Sequence, residues 1–334
     1  MKKIKVIALI ICMLLVCGCN QTKKYDGVLN VLNWTSYIPD EVIHDFEKKY
    51  NIKVNYSTYS SNEELLAKIT SSKKGTYDVI FPSDYMDELM IERDLIEQMD
   101  ITKLSNYNVL DKKFLNQSYD RENKYTLPFL TTIVVIAVNK DNVKDDIKGY
   151  NDLVNEKYKN NIVLLDDQRI IIGLALLANK FDMNDTSVNG LGEAKVWLLD
   201  LKRNIKAYDS DSPKSFFMTE EADIGVMWNA EAELAKVDNP NIEIIYPDEG
   251  HAISTDNYAI AKGAKNKDNA YLFINYILST EVQDKITKEY PYISPNKSVK
   301  NSTITTDIIF KNGYYVKNIG ESIRDYDKLW AEIK

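Results

Sequence analysis

Val28-Leu29-Asn30-Val31-Leu32-Asn33-Trp34-Thr35-Ser36-Tyr37 is the stretch on which the fold turns. Its first five residues are a short apolar run that reads as a strand, and the run breaks into aromatic and hydroxyl residues at its carboxyl end. Pro39 to Tyr50 reads as a helix with Pro early in it, where the missing N–H costs nothing. Ile52 to Tyr56 is a second strand, Asn62 is placed to cap the next helix, and Tyr77 to Phe81 is a third short strand. Strand, helix and strand in this rhythm build a sheet covered by helices on both faces.

The rhythm resumes after a long strand predicted over Thr132 to Asn139, with strands at Asn161 to Leu165, Ile205 to Tyr208, Ile224 to Met227 and Ile242 to Tyr246. Helices are predicted over Ile170 to Asn179, Glu193 to Lys202, Ala230 to Val237 and Asn269 to Leu278. The chain shows no repeat at a fixed period, no low-complexity tract and no heptad run. Two α/β lobes fit this pattern.

Ahead of the first strand stand a basic start, Met1-Lys2-Lys3-Ile4-Lys5, an apolar run from Val6 to Val16, and Cys17-Gly18-Cys19. This order reads as an export signal whose apolar run is too short to span a bilayer. Val16-Cys17-Gly18-Cys19 resembles a bacterial lipobox, and small Gly18 favours Cys19 over Cys17 as the lipidated residue. The expectation is a signal peptide over 1–18, a lipidated tether over 19–27 and an extracytoplasmic protein anchored to the cell membrane at Cys19 without crossing it. An ordinary secretory signal with incidental cysteines is the alternative.

Cleavage there removes Cys12 and Cys17, so no disulfide is possible and packing carries the stability. It also removes Lys2, Lys3 and Lys5, leaving 39 basic against 50 acidic residues, a formal charge of −11. Such an acidic body argues against nucleic acid or anionic lipid as a partner and mildly favours cations.

Open α/β sheets bind ligands beyond the carboxyl ends of their strands. The same residue types recur there: Trp34, Thr35 and Tyr37 after the first strand, Ser83, Asp84 and Tyr85 after the third, Asp166-Asp167 after strand 161–165, Trp228 to Glu231 after strand 224–227, and Ser254-Thr255-Asp256 before Tyr258. Aromatic faces attract cations and pack on methylenes, and carboxylates give ammonium groups charge-assisted hydrogen bonds. A site of both kinds suits a long flexible cation with apolar segments between its charges.

Catalytic signatures are missing. With only His44 and His251, no H-E-x-x-H, no G-x-S-x-G, no Walker A loop and no paired C-x-x-C, the chain reads as no enzyme and implies no cofactor or metal. Asp182 to Glu193 has acidic spacing faintly like a calcium loop, but Ser187 stands where the turn needs glycine. His44 reads as solvent-facing on a charged helix and His251 as a loop residue at the cleft rim.

From Leu29 to about Asn296, and more loosely beyond, the chain resembles the periplasmic spermidine/putrescine-binding proteins, the solute receptors of polyamine ABC importers. The resemblance rests on Asn33 to Tyr37, Tyr56-Ser57-Thr58-Tyr59, Tyr77 to Ser83, Leu164 to Asp167, Met227-Trp228-Asn229, Asp256 and Ser294-Pro295-Asn296. It implies a type II periplasmic-binding-protein fold of two lobes, each a mixed sheet flanked by helices, with the ligand cleft between them. The lobes would be 28–136 with 257–297, and 137–256 with 298–334.

Carried over by position, Trp34 and Trp228 would be aromatic walls completed by Tyr37, Tyr85 and Tyr292. Asp167 and Asp256 would bind amines, and Thr35 and Ser83 would be polar contacts. The chain departs from the spermidine receptor at Ile170, an acidic position there, at Ser254, a tryptophan there, and at Val316, a glutamine there. Glu231 is a gain, at a position where the putrescine-selective relative carries an aspartate. The resemblance implies a monomer that takes up a polyamine and hands it to the permease subunits of an ABC transporter. A receptor of the same fold for another organic cation is the alternative, with a lipoprotein enzyme or adhesin behind it; Arg169 reads as structural.

Overall fold

The computed structural model describes residues 25–35, 37–300 and 304–334; the expected export signal and the expected lipidation site, Cys19, lie outside them. The first part of the chain builds β1 (Gly27–Trp34), α1 (Asp40–Tyr50), β2 (Ile52–Tyr59), α2 (Asn62–Ser71), β3 (Val79–Ile80) and α3 (Asp84–Glu92). Strand β1 pairs in parallel with β2 on one side and β3 on the other, as the β-α-β rhythm requires. A fourth strand, β4, runs unbroken over Thr126–Asn139. Next come β5 (Ile162–Leu164), α4 (Gln168–Ala178), α5 (Val188–Lys202), β6 (Ile205–Tyr208), α6 (Lys214–Met218), β7 (Ile224–Trp228), α7 (Asn229–Asp238) and β8 (Ile242–Ile245). The chain closes with β9 (His251–Ile260), α8 (Lys267–Ile277), α9 (Thr280–Glu289), α10 (Thr306–Lys311), β10 (Gly313–Tyr315) and α11 (Ile323–Ile333).

The fold is the two-lobed type II arrangement, and β4 with β9 joins the lobes. Along its first half, Thr126 to Ile133, β4 lies antiparallel to β9; along its second half it lies antiparallel to β7 and β8. The order is β2-β1-β3-β9-β4-β7-β5-β6. All fourteen residues of β4 are buried, a length of about 46 Å at ordinary strand rise. This explains why its sequence is a near-continuous apolar run rather than an alternation. One core gathers Leu29, Val31, Phe46, Phe129, Tyr258 and Phe273; another gathers Val134, Ile136, Leu164, Ile171, Leu198 and Tyr326.

Several boundaries differ from the sequence reading for identifiable reasons. Strand β4 starts at Thr126 rather than Thr132, because Pro128, which argues against a strand, sits at a register shift between Pro128 and Leu130 where no regular ladder is required. The cap of α2 is Ser61, whose hydroxyl accepts from Glu64 N; Asn62 instead accepts from Ser83 N at 3.3 Å. Ser187 caps α5 by accepting from Gly190 N, which starts that helix before Glu193. His44 is exposed as expected, but His251 is no rim residue: it opens β9, is buried, and its Nε2 lies 3.0 Å from Ile309 O. Strand β10, three residues long, gave the sequence reading no pattern to mark; α11 was also missed, although Tyr326, Leu329 and Ile333 bury one face of it at helical spacing.

Asp78 ties the first strand to the segment that follows β9. Its Oδ2 accepts from Asn30 N, Asn30 Nδ2 and Asn266 Nδ2, and its Oδ1 accepts from Lys265 N and Asn266 N, all at 2.8–3.0 Å and away from solvent. Removing the acceptor strands five donors at once. Asp78→Ala should cost about 3 kcal/mol in urea unfolding; a loss below about 0.5 kcal/mol would show that water replaces the network.

Candidate functional site

Each contributing residue stands where a strand gives way to a helix or loop. Trp34 ends β1, with Thr35 and Tyr37 just beyond it, while Ser83 and Tyr85 flank the start of α3. Across the cleft, Asp167 caps α4, Trp228 ends β7, and Glu231 lies in the first turn of α7. Asp256 was read as preceding a strand, but it lies within β9, opposite Leu130 of β4. Together with Tyr292, all ten of these residues line one cavity of about 950 Å³. Ile170, Ser254 and Val316 line the same cavity.

Asp256 sits at its floor, 3% exposed. The Ser83 hydroxyl donates to Oδ1 and the Tyr37 hydroxyl to Oδ2, each at 2.6 Å. Burial pushes this carboxyl up to about 6, against the pull of those hydrogen bonds. The Tyr37 hydroxyl is pushed well above its ordinary value, by burial first and by Asp256 next, so it remains a donor.

The aromatic wall is fixed from behind. Trp34 Nε1 donates to Phe81 O at 3.0 Å, and the Tyr59 hydroxyl donates to the same carbonyl. The Trp34 and Tyr59 rings pack with centroids 4.6 Å apart, and Tyr37 packs on Tyr292 at 4.7 Å. Thr35 Oγ1 donates to Tyr59 O at 3.3 Å. On the other side, Asn229 Oδ1 accepts from Thr132 Oγ1 and Ile133 N, pinning the turn that carries Trp228 to β4.

The remaining carboxylates are held differently. Asp167 Oδ1 accepts from Arg169 N and Ile170 N at the start of α4; burial raises its pKa, the two N–H groups lower it, and nearby Glu63 adds to the rise. Glu231 is raised by burial, with Lys214 opposing, and its Oε2 is buried without a hydrogen-bond partner among the described residues. Arg169 donates to Asn184 Oδ1 and Lys317 O, and its guanidinium lies 5.8 Å from the Tyr85 ring centre and 5.1 Å from that of Tyr326. It is built into the wall, in keeping with the structural reading of this residue.

The sequence reading placed Asp84 at a strand end without giving it a ligand role and did not name Tyr59, Glu63, Tyr290 or Trp330 as site residues, yet all reach the cavity. Tyr59 stood within a quoted stretch, so its signal was present; Trp330 comes from α11, which no strand-end rule points to. Counting the whole lining, eight side chains are acidic and two, Arg169 and Lys214, are basic. That balance suits a cation and repels an anion.

Known proteins resemble this chain over most of its length. Residues 41–312 match the family described as bacterial extracellular solute-binding protein. Over 325 residues the chain is 33% identical to the spermidine/putrescine-binding periplasmic protein 1 of Haemophilus influenzae, covering 94% of this chain and 90% of that one. It is 31% identical over 320 residues to the spermidine/putrescine-binding periplasmic protein of Escherichia coli, with 92% of each covered. The crystal structure of the TpPotD lipoprotein of Treponema pallidum superposes with a TM-score of 0.85 at 26% identity, over 92% of this chain and 99% of that one.

The buried carboxyl has a measurable signature. A carboxyl whose pKa rises on folding, here from 3.8 to about 6, contributes stability that is present below the unfolded value and lost as pH rises through the folded one. The stability of the empty protein relative to Asp256→Asn should therefore fall by about 2 kcal/mol between pH 4 and pH 7. Urea unfolding of both proteins across that range checks it, and a pH-independent difference would contradict it.

Proposed function

The chain belongs to the bacterial extracellular solute-binding protein family, and from that premise we propose that it is a polyamine receptor that captures spermidine, putrescine or both and delivers them to an ABC importer. The observation that carries this reading is the convergence of Asp167, Glu231 and Asp256 with Trp34, Tyr37, Tyr85, Trp228 and Tyr292 on one acidic cavity. Separated carboxylates suit ammonium groups spaced along a chain, and the rings between them suit its methylenes. The names of the relatives at 31–33% identity support the same ligand class.

In this reading the chain divides into lobes 28–136 with 257–297 and 137–256 with 298–334, flexing where β4 and β9 cross. Ligand favours the closed form because only that form offers contacts from both lobes at once. The receptor works as a monomer tethered outside the cell membrane by a lipid on Cys19, and no bond is made or broken in its ligand. Among the described residues no helix is long and apolar enough to cross a membrane.

Isothermal titration tests the assignment on protein freed of co-purified ligand by unfolding and refolding. Putrescine, cadaverine, spermidine and spermine should include the tight ligands, while glycine betaine and arginine should give no heat. Asp256→Asn should weaken the best polyamine about 100-fold and Glu231→Gln about tenfold. Silence towards every polyamine, with heat from glycine betaine or arginine, would favour a receptor of this fold retuned through Ile170, Ser254 and Val316.

A further inference from the structure

Asp166 and Asp167 are consecutive at the carboxyl end of β5, yet they serve different neighbours. Asp167 caps α4, whereas Asp166 forms an ion pair with Nζ of Lys334, at the end of α11. That ammonium meets a carboxylate and two aromatic faces, as a bound amine would: it lies 5.0 Å from the ring centre of Tyr208 and 5.1 Å from that of Trp330. The two rings meet edge to face, with centroids 5.4 Å apart. Asp166 N donates to Ser210 Oγ at 2.9 Å, which fixes the backbone there. The Tyr208 hydroxyl is buried and has no hydrogen-bond partner among the described residues, so the cage holds an unused polar group. Asp166, Ser210 and Trp330 all line the main cavity, which makes the cage a side arm of the cleft.

We propose that Asp166, Tyr208 and Trp330 form an additional ammonium subsite at the rim of the cleft, occupied here by Lys334, and that a linear tetra-amine reaches it by displacing that lysine. The inference rests on the polyamine reading of the main site. The chemistry is that of the main site repeated: one carboxylate, two aromatic faces and a hydroxyl. Lys334 and Asp166 are 35% and 46% exposed in their side chains, and ion pairs this open to water hold weakly. A ligand already held at Asp167 presents its next amine at high local concentration, so the exchange is between two tethered ammonium groups. A short diamine or triamine that does not span the distance leaves Lys334 in place. The lysine therefore discriminates against the longest ligands, because their last amine must compete for a cage that is already filled.

Titration of spermidine and spermine into the wild type, Lys334→Ala and Lys328→Ala tests this. Lys328 lies exposed on the same helix, and its loss makes the same change in net charge. Lys334→Ala should tighten spermine relative to spermidine on the order of fivefold. Lys328→Ala should leave that ratio unchanged, and adding Asp166→Asn to Lys334→Ala should abolish the gain. An unchanged ratio in Lys334→Ala, or an equal change in Lys328→Ala, overturns the subsite while leaving the polyamine reading intact if spermidine still binds. Failure of every polyamine to bind the wild type overturns both.

Discussion

The antiparallel pairing of β4 with β9 is the constraint on which the molecule depends. Strand β4 gives its first half to one sheet and its second half to the other, and β9 lies beside the first half with Leu130 opposite Asp256. Because this ladder is buried throughout, any polar side chain on it must find its partners within the protein. Asp256 finds them in Ser83 and Tyr37, both carried by the ends of strands in the first lobe. The connection between the lobes and the floor of the cleft are thus one piece of structure.

The electrostatics follow from that placement. Asp84, Asp87, Asp167, Glu231 and Asp256 all have raised pKa values, and in every case burial is the largest cause. Asp84 accepts from Tyr85 N and Thr255 N, and Asp87 from Asn257 Nδ2, so two further buried acids stand near Asp256, of which Asp84 reaches the cavity. Surface acids go the other way: Glu64, beside Lys68, is lowered to about 2. Buried acids that repel one another are costly in the empty protein, and a cation entering the cavity relieves that cost through direct attraction.

Legibility varied with the type of signal. The parallel strands were readable because each is a short apolar run with polar punctuation, and the site residues because they follow those runs directly. Asp256 was legible as a residue but not as part of a strand, since Ser254-Thr255-Asp256 carries no apolar pattern; only pairing with β4 makes it extended. Pro128 hid the first half of β4 for the same reason in reverse, its local preference being overridden at an irregularity in the ladder. Trp330 and Tyr290 reach the cavity from segments far from any strand end on the sequence, so no local rule selects them, whereas Glu63, four residues past the end of β2, lay within reach of the strand-end rule and was not named.

By itself the sequence determined the alternation of strands and helices, the division into two lobes, the acidic balance and the identity of the aromatic and acidic residues at the strand ends. These depend on periodicity, charge and turn chemistry, which act over a few residues. Only the tertiary structure decided that Asp167, Glu231 and Asp256 share one cavity, that burial raises their pKa values, that Arg169 is built into its wall, and that Lys334 fills a cage beside it. Those outcomes depend on long-range register and on exclusion of water, and neither exists until β4 and β9 have paired.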